Sequence, residues 1–142
     1  MTFNIKNFEI GGEKTFIIAE IGNNHNGDFH LAKDMIDAAK LAGADCVKFQ
    51  MRHMSEVYRS KSLAKDGEDL GTEYVIDLLK KFELSQQEHK KLFEYCNDID
   101  ILYMCTPWDL KSVDTLEAFG VKAYKVASAD LTNIPLISKL SE

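Results

Sequence analysis

Apolar residues along this chain follow two alternating periods. Short, nearly continuous apolar runs sit at residues 15–21 (TFIIAEI), 45–50 (DCVKFQ), 101–106 (ILYMCT) and 123–127 (AYKVA). Runs of this length and make-up predict strands of a parallel sheet, buried on both faces. Between them the spacing becomes helical. Leu31, Met35, Ala38, Ala39 and Ala42 share one face behind a capping Asp28, with Gly43 as the stop. Val75, Ile76, Leu78, Leu79 and Phe82 mark a second helix over residues 73–82. Ser85 and Glu88 form a capping box that opens a third. Pro107 ends the preceding strand, because proline has no N–H for the ladder. Asp109 then caps a fourth helix with Val113, Leu116 and Phe119 apolar. A last helix starts near Asn133 or Ile134, with Pro135 in its first turn. Ahead of all these, Phe3, Ile5, Phe8 and Ile10 alternate, and Gly11-Gly12 follows, which predicts a small β-hairpin.

The order is a hairpin and then four βα units, which implies a parallel sheet with right-handed crossovers. An open doubly wound sheet and a (β/α)8 barrel both fit. No G-x-G-x-x-G follows the first strand, which removes the best marker of a dinucleotide-binding sheet. A barrel takes roughly 250 residues. The expectation is therefore an α/β chain with a hairpin over residues 1–14 and, over residues 15–142, the first half of a (β/α)8 TIM barrel.

Composition narrows the function. With 17 basic and 23 acidic residues the formal charge is −6. That argues against general nucleic-acid binding, which needs clustered Lys and Arg. A small anionic substrate stays open, since two well-placed lysines make a local positive site. No apolar run is long enough to span a bilayer, and residues 1–14 hold no signal-peptide core. Cys46, Cys96 and Cys105 match neither a disulfide framework nor a zinc pattern. They read as reduced thiols of a cytoplasmic protein, Cys46 and Cys105 in the core.

Ligands of parallel α/β sheets bind at the carboxyl ends of the strands. There the first strand carries Glu20, followed by Asn23, Asn24 and His25; the second carries Lys48 and Gln50. The third ends in Thr106, and the fourth holds Lys125, with Ser128 and Asp130 after it. Glu20 lies in an apolar run, so its carboxylate needs a partner: a structural ion pair with Lys48, or a functional role. Lys48 and Lys125, in equivalent places on different strands, suggest one shared anionic ligand. Thr106, Lys125 and Ser128 make a plausible phosphate cradle. His25 is open to three readings: base, metal ligand or solvated loop residue. His89, in a capped helix, reads as surface. No H-x-x-H or H-E-x-x-H spacing occurs, so no complete metal site is expected within the chain. The polar stretch after Gln50 is longer than a connector, and its acidic part around Asp66, Glu68 and Asp69 reads as a solvated loop.

Three blocks, FIIAEIGNNHNGD, AGADCVKFQ and CTPWDLKSVDTLEAFGVKAYKVASADLTNIPLI, together resemble the N-acetylneuraminate (sialic acid) synthase family. That family includes legionaminate, pseudaminate and spore-coat polysaccharide synthases. The resemblance implies a TIM-barrel enzyme that condenses phosphoenolpyruvate with an N-acetylated amino sugar such as N-acetylmannosamine and releases phosphate. It places Glu20 near the reacting aldehyde and Lys48 at the phosphoenolpyruvate carboxylate. Gln50, Asn24 and His25 fall at the substrate site, and Thr106, Lys125 and Ser128 at the phosphate. It also implies Mn²⁺ or Mg²⁺ held by histidines beyond residue 142, and a homodimer formed through a later domain. Trp108 stands where many relatives have Phe. On this reading the chain is the N-terminal part of such a synthase and inactive alone. Two other readings are a barrel aldolase with Lys48 or Lys125 as Schiff-base nucleophile, and a truncated chain that only binds or assembles.

Overall fold

The computed structural model describes residues 2–58 and 72–142. Strands β1 (Phe3–Ile5) and β2 (Phe8–Ile10) form the antiparallel hairpin, with Phe3 opposite Ile10 and the chain reversing at Lys6, φ +52°. Three strands, β3 (Ile18–Gly22), β4 (Cys46–Met51) and β5 (Leu102–Pro107), make a parallel sheet in the order β3-β4-β5. The helices are α1 (Phe29–Leu41), a single turn α2 (Met54–Val57), α3 (Thr72–Lys81), α4 (Gln86–Asp98), α5 (Leu110–Phe119) and α6 (Ile134–Leu140).

Local chemistry sets the helix starts. Asp28 Oδ1 accepts from the N–H groups of His30 (2.7 Å) and Leu31 (3.1 Å). Ser85 and Glu88 make the reciprocal capping box, and Asn133 caps α6. Each such cap contributes about 1 kcal/mol by satisfying N–H groups that the helix leaves unpaired.

Strand order rises with sequence and never reverses, so right-handed crossovers put the long helices on one face. The core lies there. Ile21, Val47, Phe49, Met51, Tyr103 and Cys105 pack against Ala32 and Ile36 of α1, Leu92 and Cys96 of α4 and Leu116 of α5. Phe49 stacks on Tyr103 at 5.3 Å between ring centroids. The opposite face carries a smaller cluster, Cys46, Leu102 and Met104, covered at its lower end by Ile5, Phe8 and Phe16. All three cysteines are buried, and burial pushes their thiols up to about 12.

Several expectations need correction. The fourth strand is absent: residues 123–127 give one parallel bridge, Cys105 to Tyr124, and one rung, Lys125 N–H to Cys105 O at 3.1 Å. No described strand pairs with this segment on its far side, and it runs directly into a 3-10 turn at Ser128–Asp130. The first strand starts later than expected, because Ile17 N–H is taken by Asp45 Oδ2 at 2.8 Å. It is also not buried on both faces, since Ile18 is 45% exposed. The sheet-facing stripe of α1 is Phe29, Ala32, Met35, Ile36 and Ala39; Leu31, Ala38 and Ala42 are exposed. The polar stretch after β4 contains the unexpected turn α2, while its acidic part, with Asp66, Glu68 and Asp69, lies outside the described residues. Among the described residues no helix is long and apolar enough to cross a membrane.

Candidate functional site

Side chains alternate across a strand, and the register decides which of them meet. Glu20 is aligned with Lys48, and Lys48 with Met104; Gln50 is aligned with Thr106. Odd-numbered neighbours go to the helices. Glu20, Lys48, Gln50 and Thr106 go to the opposite face, at the carboxyl ends of the strands.

There Lys48 Nζ lies 2.7 Å from Glu20 Oε1 and donates to Thr106 Oγ1 at 3.3 Å. Lys48 is 6% exposed. Glu20, in contrast, is not the buried carboxylate the sequence suggests: its side chain is 59% exposed. The apolar run of β3 supplies the core from Ala19 and Ile21 only, and among the described residues no helix residue joins the cluster on the opposite face. The site is thus a buried cation with one carboxylate and one hydroxyl beside it, opening to solvent through the carboxylate. Gly22 makes room for this. Its φ is +55°, and a Cβ there would stand 3.0 Å from Glu20 Oε1 and 3.4 Å from Gln50 Nε2.

The remaining expected site residues are placed differently. Tyr124 packs against the helix-side core, so Lys125 follows Thr106 onto the open face. Lys125 and Ser128 are both exposed, and neither side chain hydrogen-bonds to Lys48 or Thr106. The three-residue phosphate cradle is therefore not closed in this structure; Thr106 is bound to Lys48 instead. Asp130, beside Ser128, accepts from Asn133 Nδ2 at 3.0 Å and leaves Oδ2 unpartnered. Asn24 is exposed on the loop after β3.

His25 is not a solvated loop residue. It is 1% exposed, accepts from Gly27 N–H through Nδ1 at 3.1 Å, and lies against Phe49 on the helix side. The loop turns it inward through positive φ at Gly22, Asn26 and Gly27. At Gly27 a Cβ would meet Lys81 O at 2.5 Å, so only glycine allows this close approach. Burial lowers the His25 pKa, partly offset by a hydrogen bond to the Gly22 backbone. His89, expected at the surface, is 2% exposed, and its Nδ1 is 2.9 Å from Tyr103 Oη. Burial drives its pKa down to about 3. The signal was present in the sequence: His89, Leu92 and Cys96 form the buried stripe of α4 at helical spacing.

Sequence reasoning missed Arg52 as a neighbour of the site, and did not foresee the partners of Trp108 and Asp109. Arg52, 8% exposed, continues the Lys48–Gln50 row and donates from Nη2 to Gln50 Oε1 at 2.5 Å. Its guanidinium carbon lies 5.0 Å from the Trp108 ring centroid. Asp109 accepts from His53 N–H and from Ser112 N–H, each at 2.7 Å, while its Oδ1 lies 3.1 Å from His53 Nδ1. This carboxylate pins the chain after β4 to the start of α5. The Asp109 cap was legible, but its hold on His53 and the packing of Arg52 against Trp108 join residues far apart along the chain, which local spacing does not reveal. Among the described residues no three His, Cys, Asp or Glu side chains gather as a metal site needs.

Comparison with known proteins places this geometry in context. The sequence profile of the NeuB family matches residues 35–142. The chain is 44% identical over 131 residues to an uncharacterized protein of Methanocaldococcus jannaschii, covering 92% of this chain and 36% of that protein. It is 37% identical over 139 residues to the N,N'-diacetyllegionaminic acid synthase of Campylobacter jejuni, covering 92% of this chain and 40% of that enzyme. The N-acetylneuraminic acid (sialic acid) synthetase of Leptospira borgpetersenii, solved with citrate, superposes with a TM-score of 0.83 at 34% identity, over 99% of this chain and 46% of that one. The chain thus spans about two-fifths of the curated relatives it matches.

Proposed function

The chain belongs to the NeuB family, and from that premise we propose that it supplies the phosphoenolpyruvate-binding part of a sialic-acid-type synthase built on a (β/α)8 barrel. A strand order that never reverses, with the long helices on one face, supports the barrel reading; a doubly wound sheet reverses its order to cover both faces. The substrates are phosphoenolpyruvate and an open-chain N-acyl amino sugar of the N-acetylmannosamine type.

One observation carries the reading: the buried Lys48 ammonium, with Glu20 at 2.7 Å and Thr106 at 3.3 Å, at the carboxyl end of the sheet on the face opposite the long helices. Such a group suits a small polyanion. An arriving phosphoenolpyruvate replaces Glu20 as the counter-charge of Lys48, and the Thr106 hydroxyl donates to it. Lys125, on the same face, adds a second charge. In the reaction, the C2=C3 electron pair of phosphoenolpyruvate forms the new bond from C3 to the aldehyde carbon. The aldehyde oxygen takes a proton and becomes a hydroxyl. Water adds to C2, and the tetrahedral carbon expels phosphate by C–O cleavage, leaving a 2-keto acid. Glu20, the carboxylate of the trio, is the group placed to move the proton. The described residues do not fit a divalent cation, and no step is assigned to one. A Schiff-base aldolase would use Lys48, which must first leave Glu20, or the exposed Lys125, and borohydride trapping distinguishes it.

The test uses the intact protein with phosphoenolpyruvate and a panel of N-acyl amino sugars. Phosphate release that requires both substrates, together with a nine-carbon 2-keto acid by mass spectrometry, is the expected result; Lys48→Met abolishes both. Borohydride trapping of a carbonyl substrate on lysine, or no sugar-dependent phosphate release, would overturn it.

A further inference from the structure

We infer that Arg52 is a positioning residue that fixes the Gln50 side-chain amide as a hydrogen-bond donor to the sugar substrate. The inference rests on the synthase reading for its substrate, and on geometry for the rest. A guanidinium has donors and no acceptor. The Gln50 atom 2.5 Å from Arg52 Nη2 must therefore be the carbonyl oxygen. The amide NH2 then has to point the other way, and it does: Nε2 is 3.4 Å from where a Gly22 Cβ would stand, on the side of Glu20 Oε1. An unanchored glutamine could present either end, since its two amide faces have nearly equal shape.

Arg52 is itself held. Its guanidinium lies over the Trp108 ring at 5.0 Å, and the next residue is pinned through His53 N–H to Asp109 at 2.7 Å. Trp108 N–H donates to Met51 O at 3.0 Å, tying the two strand ends together. A planar guanidinium held over an aromatic ring gives up little freedom on forming its hydrogen bond. The open face thus offers Gln50 as an oriented donor and, once an anion has taken Lys48, Glu20 as an acceptor beside it. A hydroxyl satisfies both, accepting from Gln50 and donating to Glu20. A carboxylate or phosphate cannot, so the pair selects the hydroxylated amino sugar, while the anion goes to Lys48.

Two readouts on the intact protein test this. The first needs no activity. In a ¹⁵N spectrum, the Gln50 side-chain NH2 pair, identified by its loss in Gln50→Ala, is sharp in the parent, broadened in Arg52→Met, and restored towards its parent position in Arg52→Lys. The second is kinetic. Losing one oriented hydrogen bond raises the KM for the amino sugar about tenfold in Arg52→Met and leaves that for phosphoenolpyruvate within about twofold. An unchanged Gln50 signal, or equal changes in both KM values, overturns the inference. A parent protein that makes no product from any amino sugar overturns the synthase reading instead, and the NMR result then decides the role of Arg52 alone.

Discussion

Replacing His89 by glutamine should flatten the response of stability to acid. In the fold His89 is 2% exposed, faces Phe49 and Tyr103, and has its pKa lowered to about 3 by burial. In the unfolded chain it titrates near 6.5. Between these values the unfolded state binds a proton that the native state refuses. Stability is therefore complete above pH 6.5 and is lost as pH falls towards 3. From pH 7 to pH 5 the integrated loss from this one residue is about 2 kcal/mol, at roughly 1.4 kcal/mol per pH unit. Asp28, Asp37 and Glu88, whose pKa values are lowered by hydrogen bonds, act in the same direction but only near and below ordinary carboxylate values. His25, also lowered by burial, contributes in the same window as His89.

Glutamine can keep a hydrogen bond to Tyr103 without titrating. Urea unfolding of parent and His89→Gln proteins at pH 7, 6 and 5 gives the comparison. The variant starts less stable by about 1–3 kcal/mol, from imperfect packing of a buried polar group. Its deficit should then shrink by about 2 kcal/mol at pH 5, as the parent loses what the variant never had. Parallel stability curves for the two proteins over this range would refute the reasoning, because they would mean that His89 takes up its proton in the folded state.

Two further substitutions probe the site and its frame. Gly22→Ala forces a side chain into φ +55°, 3.0 Å from Glu20 Oε1; expect about 1–2 kcal/mol less stability by urea unfolding and at least about a tenfold fall in sugar-dependent phosphate release. Parent activity in that variant would mean that the Glu20–Gln50 arrangement is not needed. Asp109→Ala removes the acceptor of His53 N–H, Ser112 N–H and Ser112 Oγ; a loss of about 2–4 kcal/mol is expected, with Asp109→Asn recovering part of it. A midpoint unchanged in urea would show that the latch between β4 and α5 carries no load.

What could be read from the sequence follows the two periods. Caps at Asp28, Ser85, Asp109 and Asn133 were legible because each depends only on residues within a few positions along the chain. That Glu20, Lys48, Gln50 and Thr106 lie at the carboxyl ends of their strands was legible too; that they share one face came only from the register, which pairs Glu20 with Lys48 and Gln50 with Thr106. The failures needed information from further away. Residues 123–127 have strand composition, but a strand needs a ladder, and only one bridge forms. His25 reads as polar loop because nothing local announces that three positive-φ residues turn it under the sheet. Glu20 reads as buried because an apolar run does not say which face is covered.

That last error bears on how the site works. Had Glu20 and Lys48 both been buried, the pair would be a structural ion pair, strongly desolvated and costly to open. Instead the cation is buried and its carboxylate partner is more than half exposed. A buried lysine cannot be left without a counter-charge, and Glu20 supplies one at 2.7 Å. Because Glu20 remains in water on its outer side, it can leave Lys48 without a large solvation loss, provided another anion takes its place. On the proposed reading the two events are interdependent: the anion binds as the carboxylate is released, and the released carboxylate is then free beside the Gln50 donor. A site with both charges buried would resist the exchange, and one with both exposed would discriminate poorly among anions. On the proposed reading, the asymmetry of burial across one 2.7 Å contact is what fits this ion pair to serve as a binding group.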